Sequence, residues 1–418
     1  MKMCLKDPTA LFSLKQTGDP LKVDCALLHR GNSIVEMNEE RMVIGDTQSH
    51  QLLRVDNEDV SGIQHNQVLD MKERGERWEG DVLNNKPYGW GVLYDSENKM
   101  AYEGFRVGNV NVCYGTQYYS DTQRVEYEGE WFEGTRWGKG IQLDRNGNTV
   151  FEGEWMNDEQ LNKRVELSEN NQLLHNRIEE LIVKDNSCNG KEWSVFDLSL
   201  MPKLRLLQVG DECLKNVKEV KMIGLSQLEK MVIGNSSFTM CPVDYIGYDP
   251  NRHFYLKNCE RLRELKMGRV SFNEYSVCEI ENVPSLEVIE MGDMDEWSRN
   301  FYYTSLELKN MPSLKSLVFG WGTFNECPRA VFENLPELTS IQFGGSAFCF
   351  KYDDESTELI MRNLPKLTSL TTIASNWILA SCTFMDLRSV TLEDMPALTT
   401  VTLGKKWAFK NKKTVHTK

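Results

Sequence analysis

The sequence predicts a mainly β protein with little helix, in which an array of β-hairpins is followed by a β-solenoid. Three observations support this prediction. An aromatic-Glu-Gly triplet recurs four times between residues 78 and 158, at intervals of 24, 25 and 24 residues. From about residue 178, a different unit recurs eight times with apolar residues and a glycine at fixed offsets. Inside both repeats, apolar and polar residues alternate with a period of two, which indicates strands with one buried face.

Composition and charge limit the classes of partner. The chain has 418 residues, 40% of them apolar and 26% charged, which is ordinary for a globular protein of two or three domains. The net charge is −14, and residues 76–158 alone hold 15 acidic and 8 basic side chains. Such a field repels phosphate groups, so nucleic acid is not expected as a partner and a membrane is disfavoured. The exception is a basic tail, residues 405–418, expected to be a solvated, frayed terminus; its lysines are Lys405, Lys406, Lys410, Lys412, Lys413 and Lys418.

The lack of long apolar segments and the spacing of the cysteines predict the cellular compartment. The first sixteen residues lack an apolar stretch long enough for a signal peptide, and no window approaches the roughly 20 apolar residues of a membrane helix. The eleven cysteines are scattered, with no C-x-x-C pair, as expected for free, buried thiols in a reducing compartment. We therefore expect a cytoplasmic protein.

The N-terminal region, residues 1–75, carries no repeat and receives no functional assignment, although 41–45 and 51–55 are candidate strands that lead into the hairpins.

The hairpin array itself covers residues 76–158. Its triplets are Trp78-Glu79-Gly80, Tyr102-Glu103-Gly104, Tyr127-Glu128-Gly129 and Phe151-Glu152-Gly153. A second signature follows each of the first three triplets, at Gly89-Trp90-Gly91, Cys113-Tyr114-Gly115 and Gly138-Lys139-Gly140.

The glycines and asparagines of this array explain why it should fold as stacked hairpins. Turn formers such as Asn84-Asn85 and Asn146-Gly147 supply the positive φ of tight hairpin turns. The glycine of each triplet lacks a side chain, so an aromatic ring can lie against bare backbone. A single hairpin is marginally stable, and stacking stabilises the sheet.

These residues resemble the membrane occupation and recognition nexus (MORN) repeat, whose pattern is Tyr-x-Gly followed by Gly-x-Gly about ten residues later. Cys113 departs from the pattern, because it stands where the first glycine of the pair would be. The resemblance implies an elongated, curved sheet with an aromatic-lined groove. It also implies protein–protein contact, dimerisation or phospholipid binding, of which the acidic balance of the array disfavours the last.

Residues 159–177 are polar and are predicted to form a linker or first cap, with a short helical connector as one possibility. The second array, residues 178–404, is defined by a central leucine with an apolar residue three positions later and, in seven of eight units, a glycine six positions later. The central leucines are Leu204, Leu228, Leu262, Leu286, Leu314, Leu338, Leu367 and Leu398.

Each unit of this array contains two short alternating segments, such as 305–308 and 316–319, with a proline often between them. An asparagine four residues before the central leucine is expected to bond corner backbone and to stack into a ladder; these are Asn258, Asn282, Asn310, Asn334 and Asn363. A phenylalanine four residues past the glycine is expected to fill the next corner, at Phe238, Phe272, Phe324 and Phe348. The prediction is one two-stranded β-solenoid coil per unit.

This segment resembles leucine-rich repeats, and more nearly the irregular BspA-like kind than the regular horseshoe type, as in Gly345-Ser346-Ala347-Phe348. The resemblance implies a fold and a habit of binding ligands, without naming one.

Chemistry-bearing motifs are missing from the sequence. The six histidines are never at metal-ligand spacing from one another, and no catalytic, nucleotide-binding or metal motif occurs. We therefore expect no enzyme activity, no cofactor, no metal and no small-molecule substrate.

Aromatic residues on the insertions between coils are the candidates for partner binding, since Trp, Tyr and Arg dominate interface energetics. Corner packing is the competing explanation for each of them. The candidates are Tyr245, Tyr248, Trp297, Arg299, Phe301, Tyr302, Trp321 and Trp377.

The leading hypothesis is a scaffold that binds protein partners through both arrays. The alternatives are a peripheral membrane adaptor that uses the first array and the lysine tail, and a regulatory component of an enzyme complex.

Overall fold

The computed structural model describes residues 13–14, 25–30, 33–38, 42–55, 60–71, 75–168, 174–241, 247–372, 383–402 and 414–417. These residues form strands and turns, with one 3-10 turn at Val60–Gly62 as their only helical segment. The prediction of a mainly β fold with little helix is confirmed. Among the described residues, no helix has the length and apolar character to cross a membrane. Contacts divide the chain into two compact units, with the boundary between Asn162 and Lys163.

The first unit begins with an antiparallel sheet of four strands in sequential order. After the short β1 (Ser13–Leu14), these are β2 (Cys25–Arg30), β3 (Ser33–Asn38), β4 (Met42–Asp46) and β5 (Gln51–Val55). The two candidate strands at 41–45 and 51–55 are confirmed within one residue. This sheet packs on the hairpin array through β4 and β5: Gly45 lies against Cys113 and Phe105, and the ring of His50 stacks on Trp90 at 3.7 Å.

The hairpin array is a nine-stranded antiparallel sheet in which every strand pairs with its neighbours in sequence. Its strands are β6 (Gln64–Met71), β7 (Glu76–Leu83), β8 (Lys86–Tyr94), β9 (Met100–Val107), β10 (Val110–Tyr118), β11 (Val125–Phe132), β12 (Thr135–Leu143), β13 (Thr149–Met156) and β14 (Glu159–Leu161). The predicted hairpins are confirmed, and β14 extends the sheet into residues 159–161.

Glycines of adjacent strands face each other across the whole array and form one continuous row. The row is Gly80, Gly91, Gly104, Gly115, Gly129, Gly140 and Gly153. The absence of side chains there is required, because a Cβ at Gly115 or Gly140 would overlap the hydroxyl of Tyr102 or Tyr127. Beside this row the aromatic rings pack edge to face, as in the pair Tyr127 and Trp155, whose centroids are 5.2 Å apart.

In the second unit two strand positions alternate along the chain, and each position builds a face of parallel strands. One face is a ten-stranded sheet: β15 (Arg164–Leu167), β17 (Glu180–Val183), β19 (Leu206–Val209), β21 (Lys230–Ile233), β23 (Glu264–Met267), β25 (Val288–Met291), β27 (Ser316–Phe319), β29 (Ser340–Phe343), β31 (Ser369–Thr372) and β33 (Thr400–Thr402). The short β16 (Leu174–His175) precedes β17. The described part of 159–177 therefore holds strands where a helical connector was one possibility.

The other face is divided into two parallel sheets. The first contains β18 (Val195–Asp197), β20 (Glu219–Ile223), β22 (Asp249–Lys257) and β24 (Tyr275–Glu281). The second contains β26 (Leu306–Lys309), β28 (Arg329–Glu333), β30 (Glu358–Arg362), β32 (Ser389–Glu393) and β34 (Thr414–Thr417). Because β34 pairs with β32, the expectation of a frayed terminus is wrong for residues 414–417; the lysines of the tail lie outside the described residues.

The register of strand pairing in the ten-stranded sheet confirms the predicted repeat unit. The residues three positions after the central leucines pair in line across the ten-stranded sheet; they are Leu207, Met231, Leu265, Ile289, Leu317, Ile341, Leu370 and Val401. The corner asparagines adopt positive φ, and the Asn363 amide donates to Asn334 at 2.9 Å, as the Asn334 amide does to Asn310 at 2.8 Å. The predicted asparagine ladder is therefore present.

The predicted corner phenylalanines form a second, buried ladder. Phe272 stacks on Phe238 with ring centroids 4.7 Å apart, and Phe348 stacks on Phe324 at 5.0 Å. Phe301 joins the two pairs, at 5.1 Å from Phe272 and 5.6 Å from Phe324. Five rings thus run continuously through the middle of the solenoid.

Candidate functional site

The insertion at residues 293–305 lies where the second face of the solenoid is interrupted. It connects β25 to β26, and within the described residues β24 and β26 share no ladder of hydrogen bonds. Each of these strands is therefore an edge of its own sheet, with backbone groups on one side that no strand pairs. The insertion carries four of the eight candidate residues, and three of these, Trp297, Arg299 and Tyr302, take part in two clusters.

The tryptophan cluster consists of Trp297, Arg299 and Trp321. The two indoles stack with centroids 4.7 Å apart, and the Arg299 guanidinium lies 5.0 Å from the Trp297 ring. The backbone holds this arrangement, because the Ser298 amide donates to the Trp321 carbonyl at 2.7 Å. Gly322 has a φ of 73°, and a Cβ there would lie 3.0 Å from the Trp297 ring. Trp297 remains 39% exposed, whereas Trp321 is buried beneath it.

The tyrosine cluster consists of Tyr248, Tyr302 and Tyr303. Tyr303 contacts the other two rings edge to face, with centroids 5.7 Å from Tyr248 and 4.9 Å from Tyr302. Tyr248 is 60% exposed. Burial raises the pKa of Tyr302 to about 12 and also raises the pKa of Tyr303, so both hydroxyls stay protonated and can donate hydrogen bonds at neutral pH.

A cavity of about 520 Å³ adjoins the tyrosine cluster at the break between the two sheets, and its walls include Tyr248, Tyr303 and Pro328. Carboxylates of Glu279, Glu281 and Glu307 line it as well. These acids are already paired: Glu279 and Glu281 with Lys257, and Glu307 with Lys309 and Arg329. The cavity is therefore an aromatic recess with a neutralised polar rim.

One candidate is wrong as a partner-binding residue. Phe301 is fully buried between Phe272 and Phe324, because the insertion bulges outward while its phenylalanine supplies the missing ring of the ladder. Tyr302 and Trp321 are also mostly buried and support the exposed rings. Tyr245 and Trp377 lie outside the described residues.

The hairpin array contains a second recess, which the sequence reasoning missed. Its volume is about 600 Å³, and rings of Tyr102 and Trp131 and the side chains of Arg106 and Arg136 line it. Arg136 lies 5.0 Å from the Tyr127 ring and is paired with Glu126 at 2.9 Å. A signal for this recess was present in the repeat: Arg106 stands four residues after Tyr102, the position that tryptophan occupies in the next two repeats.

The described residues offer little for catalysis. No group of three or more His, Cys, Asp or Glu side chains among them could hold a metal ion. His253, on β22, is engaged by Pro250 and Tyr255, with its ring nitrogens 2.9 Å from the carbonyl oxygen and 3.2 Å from the hydroxyl. Burial raises the pKa of the Cys327 thiol to about 12 and that of Cys259 to about 11, which suppresses their thiolate forms.

Fold and surfaces together define a class: an all-β repeat protein with an antiparallel hairpin array, a parallel two-faced solenoid and aromatic recesses on each. No model of a known protein family matches this chain, and no curated protein matches its sequence.

Proposed function

We propose that this chain is a non-enzymatic scaffold that binds protein partners through its two repeat arrays. We further propose that the first array belongs with MORN repeats, that the second belongs with BspA-like leucine-rich repeats, and that the protein works in the cytoplasm. The observation that carries the binding role is the exposed, braced Trp297 ring on one solenoid insertion, together with the exposed Tyr248 ring on another, which contacts Tyr303 of the first.

The physical support comes from preorganisation. Side chains that are immobilised only on binding add little to the binding free energy, because ordering each flexible side chain costs about 0.5–1.5 kcal/mol. Trp297 is already held by Trp321 beneath it, by Arg299 over its ring and by the bond from Ser298 to the Trp321 carbonyl. A ring whose only role was corner packing would not need to keep 39% of its surface in water. Trp, Tyr and Arg are also the residue types that contribute most at interfaces.

The test is affinity capture with the full chain followed by mass spectrometry. We expect the double variant Trp297→Ala, Tyr248→Ala to lose partners that the wild type retains, because both exposed rings are removed while the buried ladder stays intact. Tyr352→Ala is the matched control, since Tyr352 is 75% exposed and belongs to neither cluster. Circular dichroism verifies that all variants are folded. An unchanged set of partners in the double variant would remove this surface from the proposal.

A further inference from the structure

Arg106 stands four residues after the first aromatic residue of its repeat, a position that holds Val82 in the first repeat and tryptophan in the third and fourth. Trp131 packs edge to face on Tyr102 at 5.6 Å and donates its indole N–H to the Gly115 carbonyl at 3.1 Å. Trp155 repeats this arrangement one hairpin later, on Tyr127 and the Gly140 carbonyl. Arg106 takes the equivalent place against Trp78, with its guanidinium 5.9 Å from that ring. The second repeat has therefore placed a cation where the next two repeats place an indole and the first places a valine.

This cation is buried and poorly satisfied. Only 7% of Arg106 is exposed, and its single hydrogen bond runs from Nη2 to the Asn109 carbonyl at 2.7 Å. Nε and Nη1 are buried without an acceptor, and within the described residues no carboxylate lies at ion-pair distance. Burial lowers the pKa of Arg106 below its usual 12.5, and the electrostatic effects of Tyr102 and Glu76 offset only part of that shift.

Arg252 is the other buried arginine among the described residues, and its contacts show how a buried guanidinium is satisfied when its role is structural. Its guanidinium donates to the carbonyls of Val217, Phe238 and Lys215 at 3.0–3.3 Å. It also lies 3.7 Å from the carboxylate of Glu274. A buried arginine that serves packing is surrounded by acceptors, whereas Arg106 has one.

The recess lined by Arg106 has room and complementary walls for an anionic side chain. The rings of Tyr102 and Trp131 and the side chain of Leu93 supply apolar surface, and the amides of Asn109 and Asn111 supply neutral polar groups. The charge of Arg136, on the same wall, is already balanced by Glu126. Asp158, which also lines the recess, lies 4.0 Å from Arg136, so within the described residues Arg106 is the cation of the recess that has no carboxylate at ion-pair distance.

We propose that this recess binds a glutamate side chain of a protein partner, with its carboxylate accepting hydrogen bonds from Arg106. The aliphatic stem of the glutamate would lie against Tyr102, Trp131 and Leu93. Because Nε and Nη1 of Arg106 have almost no accessible surface, binding requires a local opening of the recess wall around the guanidinium. This inference rests on the proposed scaffold function and adds the chemistry that one of its arrays recognises.

A phosphate group fits the same recess less well. A single uncompensated arginine matches the charge of one carboxylate, whereas a phosphate carries up to two negative charges at neutral pH. The carboxylate of Asp158 also lines the recess, and it repels a doubly charged phosphate more strongly than a singly charged carboxylate. The acid excess of the whole array adds to that repulsion.

The test uses blocked peptides and the full chain, so that no partner needs to be known. The probe is acetyl-Gly-Glu-Gly-amide, the control probe is acetyl-Gly-Gln-Gly-amide, and the readout is tryptophan fluorescence, since Trp131 lines the recess. We expect the Glu peptide to bind at least about tenfold more tightly than the Gln peptide, as for a charge-assisted pair. Arg106→Gln and Arg106→Trp should abolish the difference, while Arg124→Gln, the same charge change at an exposed site, should preserve it.

The variant Arg106→Trp also keeps the test valid if Arg106→Gln fails to fold. Because it introduces the residue found in the next two repeats and removes an unsatisfied buried cation, we expect it to melt at or above the wild-type temperature. Equal binding of the Glu and Gln peptides, or a preference that survives in Arg106→Gln, would overturn the proposal. So would stronger competition by inorganic phosphate, or by acetyl-triglycine with a free C-terminus, than by the Glu peptide. Partner capture through Trp297 and Tyr248 is scored separately, so either proposal can fail alone.

Discussion

In the second unit, burial keeps several individual ionisable side chains in their neutral forms. The hydroxyl of Tyr275 is buried and donates to the Val217 carbonyl at 2.8 Å, and burial raises its pKa. His175 is 1% exposed and accepts the Arg177 amide at 3.3 Å. Burial, with a smaller contribution from Arg177, lowers the pKa of His175 to about 4 from 6.5. Such groups make the fold sensitive to pH without any functional site being involved.

The depressed pKa of His175 predicts how stability responds to acid. Between pH 6.5 and about 4 the unfolded chain binds a proton at this residue and the folded chain does not, so the free energy of unfolding falls as pH falls. The loss from this residue should reach about 3 kcal/mol at pH 4. In His175→Asn, which keeps an acceptor for the Arg177 amide, this part of the pH dependence should vanish. Urea unfolding of both proteins from pH 4 to pH 8 measures it, and parallel curves would contradict the assignment.

Elements of the solenoid are stabilised by ladders that run from coil to coil. The phenylalanine ladder is the most buried, although each of its residues adopts a positive φ, such as 61° at Phe272 and 50° at Phe301. That backbone region is unfavourable for a side chain with a bulky Cβ substituent. Stacking and burial of the ring offset the cost, which explains why the corner accepts an aromatic residue where glycine would be easier.

Removal of a central ring should therefore destabilise the solenoid strongly. Phe272 contacts both Phe238 and Phe301, so Phe272→Ala leaves a cavity between two coils and is expected to cost about 3–5 kcal/mol in the free energy of unfolding. Tyr352→Ala, at an exposed aromatic residue of the same unit, should change it by less than about 0.5 kcal/mol. Urea titration compares the two. A cost below about 1 kcal/mol for Phe272→Ala would mean that the corner relaxes and the ladder contributes little.

At the scale of the whole molecule, each unit has its own buried core. The first is built from the rings beside the glycine row, such as Tyr127 and Trp131. The second is built from the buried aliphatic residues of the repeat and the phenylalanine ladder, such as Leu338 and Phe324. In repeat arrays of this kind, stability is close to a sum over units and the interfaces between neighbours.

Separate cores predict localised responses to core substitutions. Trp131→Ala should speed amide hydrogen exchange mainly within residues 75–161, because the edge-to-face contacts with Tyr102 and Tyr127 are lost. Leu338→Ala should speed it mainly between β27 and β31, around the coil to which Leu338 belongs. Hydrogen exchange with mass spectrometry resolves both regions in the intact chain. Equal acceleration in both units by either substitution would contradict separate cores.

Much of the fold could be predicted because the periodic positions face the same physical demand in every copy. Leu207, Leu265 and Leu317 recur at one offset, and parallel stacking brings them into one buried line. The exposed aromatic surfaces proposed for binding could be predicted less well. Trp297 and Tyr248 were correctly identified as insertion residues that keep exposed surface, but nothing in the local pattern distinguished them from Phe301, which points inward.

The fold class, the two arrays and the aligned apolar and asparagine positions were determined by the sequence alone, because a repeat can bury its apolar face only by stacking on copies of itself. The tertiary structure decided the rest. It placed Phe301 in the phenylalanine ladder, stacked Trp297 on Trp321, separated β24 from β26 and left Nε and Nη1 of Arg106 without an acceptor. These features depend on which neighbours an irregular segment meets in space, and the spacing of residues along the chain carries no record of that.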